Sequence, residues 1–534
     1  MYPESFKTSL ELVQKNREKN IVFQPERMSR EQKQKLIDDF HPDRKKDAFD
    51  TLKIGANKGE IVPVELAQML QSHSRIGVDS VDLTKPDYET DVLIIGGGGA
   101  GAAAAIEASA AGAGVIIVTK LRLGDSNTGM AEGGIQAATG AEDSPALHFI
   151  DTFGGGHFAA KRELVSRLVC EAPDAILWLS NLGVEFDKCD DGTMLTTHGG
   201  GTSRSRMHAA RDLTGSEIMR TLRDEVVNRK IPVIEYTSAI ELILDQNGNV
   251  AGAVLMNMES GKLLVAKAKT VIIATGGAGR MHYQGFPSSN HYGATADGLV
   301  LGYRAGAKLI YADSLQYHPT GVAYPEQILG ALVTEKARAL GAKLVNKDGE
   351  VFVHPLETRD TTASAVIREC TERKNGVDTS QGTGVWLDTP MIEKIHGDGT
   401  IENRLPAMLR MFKRQGIDIR KEPILVYPTL HYQNGGLEID QNCMTVNIHN
   451  LFVAGEAAGG IHGKNRLMGN SLLDIIVFGR NAGKNAAAIA RDIKVEKLTL
   501  LHVEKFESEI ASLELEIDTF SPKLLPNYTN EKPI

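Results

Sequence analysis

A glycine-rich turn between a buried strand and a helix constrains this chain more than any other feature. Residues 91–95 (DVLII) predict a buried strand, followed at once by the loop GGGGAG and the small-residue helix AAAAIEASAA. A second apolar run, VIIV, begins at Val115 and completes a strand–helix–strand unit. Gly96, Gly98 and Gly101 match GxGxxG, a spacing that permits a tight turn and close approach of a pyrophosphate to the backbone. The unit therefore predicts a dinucleotide site at the helix N-terminus.

The end of the second strand indicates which dinucleotide is bound. An acidic residue that binds a ribose hydroxyl is expected there, but the chain has Thr119 and Lys120, which counts against an NAD-dependent dehydrogenase. Two later buried strands, Thr270–Ala274 and Leu451–Ala454, also end in glycine-rich turns, TGGAGR and GEAAGG. FAD-binding folds return to the cofactor with such later segments, and Glu456 in the second turn could accept a ribose hydroxyl. We therefore predict FAD.

Charge and cysteine usage exclude several classes of protein. Lys and Arg total 59 against 68 Asp and Glu, and the net charge of −9 disfavours a general nucleic-acid binder. No CxxC pair occurs, so we expect neither a metal site nor an iron–sulfur cluster held by this chain; its cysteines are Cys170, Cys189, Cys370 and Cys443. The first residues lack a signal-peptide core, and segment 92–118 is too rich in Ala and Gly to predict a membrane span. These features predict a cytoplasmic protein, which a partner could hold at a membrane surface.

The remaining segments fit around this unit. The predicted fold class is α/β: a Rossmann-like FAD-binding domain with an inserted α+β capping domain, a helical N-terminal extension and a short helical C-terminal tail. In the extension, Ser29 and Gln32 form a capping box before the helix KQKLIDDF, and Val64–Ser72 predicts a further short helix. The predicted boundaries are 1–88 for the extension, 89–308 and 431–490 for the FAD-binding domain, 309–430 for the capping domain and 491–534 for the tail.

Five later stretches place polar groups beside turn residues. They are QYHPTG with His318, VTEKAR with Thr334, Glu335 and Arg338, TRDTTA with Arg359, PTLHYQNGG with His431, and GKNRLMGNSLLD with Arg466. Each taken singly has an ordinary explanation. Arg359 beside Asp360 could form a surface ion pair, and a lone histidine is more often packed in the core or solvated.

Taken together, these stretches resemble one family. HPTG, TExxR, RD, PTxHY and NRxxGNSLLD occur in the order found in the flavoprotein subunits of succinate dehydrogenase and fumarate reductase, which are related to L-aspartate oxidases and soluble fumarate reductases. The resemblance extends from about Asp91 to Ala488. It implies an enzyme that interconverts fumarate and succinate with FAD. In relatives the electrons pass through an iron–sulfur subunit, so a hetero-oligomer is expected here.

The resemblance also implies a role for each matching residue. His318 and Thr334 would bind one carboxylate of a C4-dicarboxylate, and His431 and Arg466 the other, which would fix the reacting carbon over the flavin. The residues implied for the proton path are Arg359 as the acid, with Glu335 and Arg338 returning its proton. The residues implied for FAD are Gly96, Gly98, Gly99, Ala100, Gly101, Thr119, Lys120, Ser126, Asn127, Thr128, Gly133, Gly134, Ala274, Thr275, Gly276, Thr295, Asp297, Glu456, Asn470, Ser471 and Leu472.

The chain departs from the family in three places. Asn127 stands where respiratory relatives have a histidine joined covalently to FAD, so we predict non-covalent FAD and fumarate reduction as the direction. His198 stands where fumarate enzymes tend to have Phe and aspartate oxidases Glu; it could contact substrate or be solvated. Only about 60 residues follow NSLLD, whereas relatives usually continue with a long helical domain. The extension at the front could compensate for this or dock a partner.

Three alternatives stay open at this point. L-aspartate oxidase is disfavoured, because without a carboxylate at position 198 the substrate ammonium would be poorly paired. Reduction of another unsaturated dicarboxylate is the second alternative. A non-catalytic flavin electron-transfer subunit is the alternative from another class, although such a carrier would have no reason to retain His318, Arg359, His431 and Arg466. The sequence does not determine the electron donor or what the extension binds.

Overall fold

The computed structural model describes residues 2–513 and 517–526. Its helices are α1 Lys7–Val22, α2 Arg30–Phe40, α3 Val64–Leu70, α4 Gly99–Ala110, α5 Pro145–Gly155, α6 Arg162–Cys170, α7 Ala172–Leu182, α8 Thr214–Asn228, α9 Asp297–Arg304, α10 Lys336–Ala339, α11 Arg359–Thr371, α12 Pro390–His396, α13 Thr400–Arg404, α14 Pro406–Lys413, α15 Asn470–Ala490 and α16 Leu501–Ser512. Its strands are β1 Phe49–Thr51, β2 Ile61–Pro63, β3 His73–Ser74, β4 Tyr88–Ile95, β5 Val115–Val118, β6 Ile135–Gln136, β7 Thr196–Thr197, β8 Met207–His208, β9 Val233–Ile234, β10 Thr237–Asp245, β11 Val250–Asn257, β12 Leu263–Ile273, β13 Leu309–Ile310, β14 Leu315–Val322, β15 Leu344–Val345, β16 Val377–Thr379, β17 Gly382–Leu387, β18 Ile424–Gln433, β19 Gly436–Glu438, β20 Leu451–Val453, β21 Ala458–Gly459, β22 Leu498–Thr499 and β23 Phe520–Ser521.

The predicted strand–helix–strand unit forms the centre of an eight-stranded mixed sheet. Strand β4 pairs in parallel with β5 and β12, and β12 also pairs in parallel with β20. Strands β10, β11 and β22 extend the sheet with antiparallel pairs. Helix α15 lies against α4, because Gly479 and Gly483 bring it so close that a Cβ at either position would overlap a carbonyl oxygen of α4. The small residues of α4 and α15 thus let the two helices pack with their backbones in close contact, directly after the glycine loop.

The segment predicted as the capping domain has its own antiparallel sheet, here called the capping sheet. Strands β14, β18, β17 and β15 are neighbours in that order, and β16 pairs with β17. Trp386 is fully buried in a hydrophobic cluster beside this sheet, separate from the cluster around the eight-stranded sheet. The predicted boundary at residues 430 and 431 falls inside β18, which runs from the capping sheet towards the glycine loop.

The N-terminal extension contacts both parts of the molecule. Ser29 Oγ accepts from Gln32 N (3.3 Å) and Ser29 N donates to Gln32 Oε1 (2.8 Å), which is the predicted capping box of α2. Val13 of α1 belongs to the cluster around Trp386, whereas Leu66 of α3 belongs to the cluster around the eight-stranded sheet. The extension is not wholly helical, since β1, β2 and β3 also form in it.

The C-terminal tail combines helix and strand. Helix α16 ends at Ser512, and β23 then pairs in parallel with β3 of the extension. The predicted helix continued through residues 514–516, which lie outside the described residues, as do 527–534. Within the described residues, none of the helices combines the length and the apolar character needed to cross a bilayer.

Candidate active site

A cleft that is open to solvent at its mouth lies at the carboxyl ends of the parallel strands of the large sheet. Ligands of α/β folds bind at this edge. The predicted cofactor residues that line the cleft are Gly96, Gly98, Gly99, Ala100, Thr119, Lys120, Ser126, Asn127, Thr128, Ala274, Thr275, Gly276, Asp297, Glu456, Ser471 and Leu472. His431 and Arg466, predicted for substrate, line the same cleft.

The glycine loop is shaped to accept a ligand against its backbone. Gly96 has φ 119°, and a Cβ there would overlap the carbonyl oxygen of Ala274. A Cβ at Gly101 would overlap the carbonyl oxygen of Gly96, so neither position accepts another residue without rearrangement. Helix α4 begins at Gly99 on the wall of the cleft. Gly99 N donates to Thr128 Oγ1 (3.2 Å), and the positive end of the helix dipole lies at a site suited to a pyrophosphate. The cradle fits the diphosphate of FAD.

An acidic side chain does reach the end of β5, but from another segment. Asp297, the first residue of α9, accepts a hydrogen bond from Lys120 Nζ at Oδ2 (2.6 Å). The same ammonium donates to Thr295 Oγ1 (2.8 Å) and to the carbonyl oxygen of Leu524 (2.5 Å). All three N–H donors of Lys120 are therefore used within the protein. Lys120 therefore lines the cleft with its side chain fixed by the protein, and Asp297 balances its charge.

Asn127 is held by a polar network that the sequence did not reveal. Its Nδ2 donates to Asn290 Oδ1 (2.7 Å) and Glu456 Oε2 (3.3 Å), and its Oδ1 accepts from His291 N (2.6 Å). Glu456 is buried, which raises the pKa of its carboxyl, and it also accepts from Gln433 N (3.0 Å). Asn290 and His291 line the cleft 163 and 164 positions after Asn127, and no local pattern indicates them.

The predicted substrate residues gather beside the cleft. Arg359 Nη1 and Arg466 Nη2 both donate to Gln316 Oε1, at 2.9 and 3.0 Å. The rings of His318 and His431 lie 5.1 Å apart. Gln316, two positions before His318 in QYHPTG, was not predicted, although it is the residue that joins the two arginines. Thr334 is buried in the same region.

The predicted proton path is centred on the carboxylate of Glu335. Its Oε2 lies 2.9 Å from Arg359 Nε and 3.4 Å from Arg338 Nη2, and its Oε1 accepts from Gly200 N (2.7 Å). Burial opposes ionisation of Glu335, but the two arginines outweigh it and bring its pKa below the usual range. Arg338 is itself buried, which lowers its pKa. Glu335 is thus an ionised carboxylate held between two guanidinium groups.

The group of Gln316, His318, Glu335, Arg359, His431 and Arg466 is here called the cationic cluster. Both of its histidines are neutral at pH 7. Burial, with Arg359 as the next cause, lowers the pKa of His318 and of His431 well below 6.5. His318 Nδ1 accepts from Thr320 N (3.3 Å), so its hydrogen resides on Nε2, where it can be donated to a ligand. The charge of the cluster therefore comes from its arginines.

Arg466 has no ion-pair partner among the described residues. Its Nη1 donates to the carbonyl oxygen of Leu467 (3.2 Å), and its guanidinium lies 4.2 Å from the centre of the Tyr432 ring. Its Nε is buried and has no hydrogen-bond partner within residues 2–513 and 517–526. Burial, then the charge of Arg359, lowers the pKa of Arg466 to about 9. A buried cation and an unused donor thus lie at the cleft.

Several predicted residues lie away from the cleft wall. His198 is exposed and does not line the cleft, although Gly200, two positions later, contacts Glu335. Asn470 is buried and binds Thr152 Oγ1 (3.0 Å) through its Nδ2. The other predicted cofactor residues that do not line the cleft are Gly101, Gly133, Gly134 and Thr295. Lining residues that the sequence did not indicate include Ser238, Asn290 and His291.

A dinucleotide cleft beside buried arginines and two histidines is the arrangement expected of a flavin-dependent oxidoreductase. Comparison with known proteins agrees: the family model for the FAD binding domain matches residues 91–472. The chain is 42% identical to a subunit of the fumarate reductase (CoM/CoB) of Methanothermobacter marburgensis, over 75% of this chain and 73% of the relative. It is 35% identical to an L-aspartate oxidase of Streptomyces coelicolor over 74% of this chain and 68% of the relative.

Solved structures give the same result. FrdA of E. coli quinol fumarate reductase superposes with a TM-score of 0.70 at 32% identity, covering 80% of this chain and 74% of FrdA. Mycobacterium smegmatis Sdh1 gives a TM-score of 0.67 at 37% identity, covering 79% of this chain and 72% of the solved chain. The chain therefore belongs to the FAD-binding flavoprotein family of fumarate reductases, succinate dehydrogenases and L-aspartate oxidases. It is an FAD-dependent oxidoreductase of the fumarate reductase/succinate dehydrogenase type, which confirms the predicted family, fold class and enzyme class.

Proposed function

We propose that this enzyme reduces fumarate to succinate, with non-covalent FAD and with electrons from a separate donor subunit. The observation that carries the proposal is the buried cation of Arg466 beside the cleft, joined through Gln316 to Arg359. An unpaired buried charge is costly, and a ligand carboxylate would remove that cost. Fumarate carries two carboxylates, and the cluster offers donors on both of its sides.

The residues divide into two groups that suit the two ends of a C4-dicarboxylate. His318 Nε2 carries a hydrogen and lies with Thr334 in the capping segment. Arg466, with its unused Nε, lines the cleft together with His431. We assign one carboxylate to His318 and Thr334 and the other to His431 and Arg466, which would hold the alkene between the cleft and Arg359.

Bound FAD would supply the hydride for one alkene carbon. Arg359 is proposed to give the proton to the neighbouring carbon, since its guanidinium is buried and adjoins the proposed substrate position. An arginine ordinarily holds its proton, because its pKa exceeds 12. Transfer becomes feasible because the acceptor is a strongly basic carbanion and because Glu335, ionised at rest and 2.9 Å from Arg359 Nε, can pass back a proton that it first takes from Arg338, which solvent then reprotonates. Arg338 on the other side of Glu335 would complete the path.

Non-covalent attachment is proposed from the chemistry of Asn127. An amide nitrogen is not a nucleophile of the kind an imidazole offers. The three hydrogen bonds of Asn127 to Asn290, Glu456 and His291 also account for its polar atoms. Because relatives without the covalent link are better suited to reducing fumarate, this residue also supports reduction as the direction.

A separate electron donor is proposed because proteins similar to this chain are named as subunits of larger enzymes, among them the relative from the fumarate reductase (CoM/CoB). No CxxC motif occurs in the sequence, so an iron–sulfur partner protein is the proposed donor. L-aspartate oxidase is the weaker candidate: the carboxylate of the cluster, Glu335, is bound by two arginines and is not free to meet an ammonium group.

The test is anaerobic and uses the full chain. Acid precipitation should release the yellow colour into the supernatant; colour on the pellet would contradict non-covalent binding. The protein is then reduced chemically and mixed with fumarate. We expect rapid reoxidation of the flavin, and we expect Arg359→Ala to lose it. Arg373→Ala is the control and should retain it, because Arg373 lies just beyond the end of α11 and pairs with Glu369 of that helix. Bound FAD that fumarate does not reoxidise would shift the proposal to another unsaturated dicarboxylate.

A further inference from the structure

The C-terminal segment is bound to the cofactor cleft itself. Residues 517–526, here called the C-terminal strap, follow α16 and the undescribed residues 514–516. The carbonyl oxygen of Leu524 accepts from Lys120 Nζ (2.5 Å) and from Thr295 Oγ1 (3.2 Å). Lys120 lines the cleft and follows β5 by two positions. In strand–helix–strand dinucleotide sites the end of this second strand is where the adenosine ribose is bound.

The strap is fixed at several points along its length. Thr519 O accepts from His73 N (3.0 Å), and β23 pairs with β3. Ser521 Oγ accepts from Arg304 Nη2 (2.6 Å), and Pro522 O accepts from Arg75 Nε (2.6 Å). Arg304 is the last residue of α9, whose first residue is Asp297. Both ends of α9 are therefore connected to the strap, one directly and one through Lys120.

The side chain of Leu524 secures the end of the strap. It is buried and packs in a hydrophobic cluster with Ile243 and Val503, among others. Its φ of 71° turns the backbone so that the carbonyl group meets Lys120 while the side chain enters the cluster. The next residue, Leu525, is exposed. Leu524 is thus the residue that anchors this end of the strap.

We propose that the strap fixes Lys120 and α9 in place at the adenosine end of the cleft and thereby slows the dissociation of FAD. The inference rests on the proposed non-covalent attachment, since a covalently held flavin would need no such retention. Lys120 has a structural part in this arrangement: it ties the strap to Asp297 on the cleft wall and to Thr295 next to it. The strap would help to retain FAD by packing, whereas a covalent bond retains FAD in respiratory relatives.

The test compares dissociation rates of FAD, followed by flavin fluorescence after dilution of the holoprotein. Leu524→Asp should raise the rate about tenfold or more, because a carboxylate cannot stay in the apolar cluster and its departure draws the backbone carbonyl of position 524 away from Lys120. The matched control Leu525→Asp adds the same charge one position later at an exposed site, and should change the rate by less than about twofold. A chain ending at Asp518 should behave as Leu524→Asp, and one ending at Pro526 as the unaltered protein.

A second readout separates the strap from a general loss of stability. If the strap retains FAD, Leu524→Asp reduces the increase in Tm that saturating FAD produces, because that increase reflects affinity for the folded state. If Tm falls equally with and without FAD and the dissociation rate stays within about twofold, the proposal is overturned. Colour that remains on an acid pellet overturns it too. None of these results depends on fumarate reduction, so failure here leaves the proposed activity standing.

Discussion

The cofactor cleft and the cationic cluster adjoin each other but are built in opposite ways. The cleft is formed by backbone, with glycines at positions where a Cβ would overlap a carbonyl oxygen, and its lysine is balanced by Asp297. The cluster is formed by side chains, and Arg466 forms no ion pair with any of the described residues. The cleft is therefore defined by its shape, whereas we propose that the cluster is completed by an anion. Substitutions should divide accordingly into those that abolish cofactor binding and those that leave FAD in place but remove the activity.

The largest effect is expected from Gly96→Ala. Its Cβ would overlap the carbonyl oxygen of Ala274, which is backbone and cannot move aside as a flexible side chain could. We expect the purified variant to contain no FAD, measured as the ratio of flavin absorbance to protein. Gly112→Ala is the control, since Gly112 also has positive φ (84°) but no atom lies within 4 Å of the added Cβ. It should keep its FAD and lose only about 1–2 kcal/mol of stability.

A result in which both variants lose FAD would mean that positive φ alone decides the outcome. A result in which both retain it would show that the loop adapts, and the distinction drawn between a shape-determined cleft and a charge-determined cluster would fail.

The next effect concerns the residue that joins the two arginines. Gln316→Leu removes one acceptor shared by Arg359 and Arg466, and each lost hydrogen bond to a charged group costs about 1.5–3 kcal/mol. We expect kcat/KM for fumarate to fall about 100-fold or more while FAD content is unchanged. Gln381→Leu, at an exposed turn of the capping sheet, is the control and should have no effect. Loss of FAD in the first variant would show that the two regions are coupled.

The pH dependence sharpens the same comparison. Burial lowers the pKa of His318 and His431 well below 6.5, so both stay neutral in the folded protein between about pH 6 and 8. The dissociation constant for fumarate, titrated by flavin absorbance, should be constant over that range. In the unfolded chain both histidines take up protons below about pH 6.5, so their contribution to folding stability is lost as pH falls. Fumarate binding that tightens about tenfold towards pH 6 would show that one histidine is a cation in the complex.

The same contrast explains what the sequence could predict. The glycine loop, its strands and α4 follow from a local pattern, and the structure places them as expected. The capping box at Ser29 is equally local. Asn290 and Gln316 were not predicted, because each acts through partners far away in the chain: Asn290 binds Asn127 163 positions earlier, and Gln316 binds Arg466 150 positions later.

Family resemblance, rather than residue spacing, indicated the arginines and histidines of the cluster. It could not indicate the course of residues 2–88, since the recognised motifs begin at about residue 91. That segment is fixed to the part of the molecule around β17 by interactions such as the buried ion pair between Arg17 and Asp388 (2.9 Å). An interaction of this kind depends on tertiary packing and leaves no local pattern.

The smallest effect is expected at His198, for which the family resemblance and the structure indicate different surroundings. The resemblance placed this residue near substrate, but its side chain is exposed and does not line the cleft. His198→Ala should therefore change kcat/KM for fumarate by less than about twofold, the range typical of exposed positions. His318→Ala, which removes a buried histidine of the cluster, is the comparison and should abolish most of the activity. A rise in KM of about fivefold or more in His198→Ala would place this side chain on the substrate. Because Gly200 N, two positions on, donates to Glu335, such a result would mean that the loop turns inward during turnover.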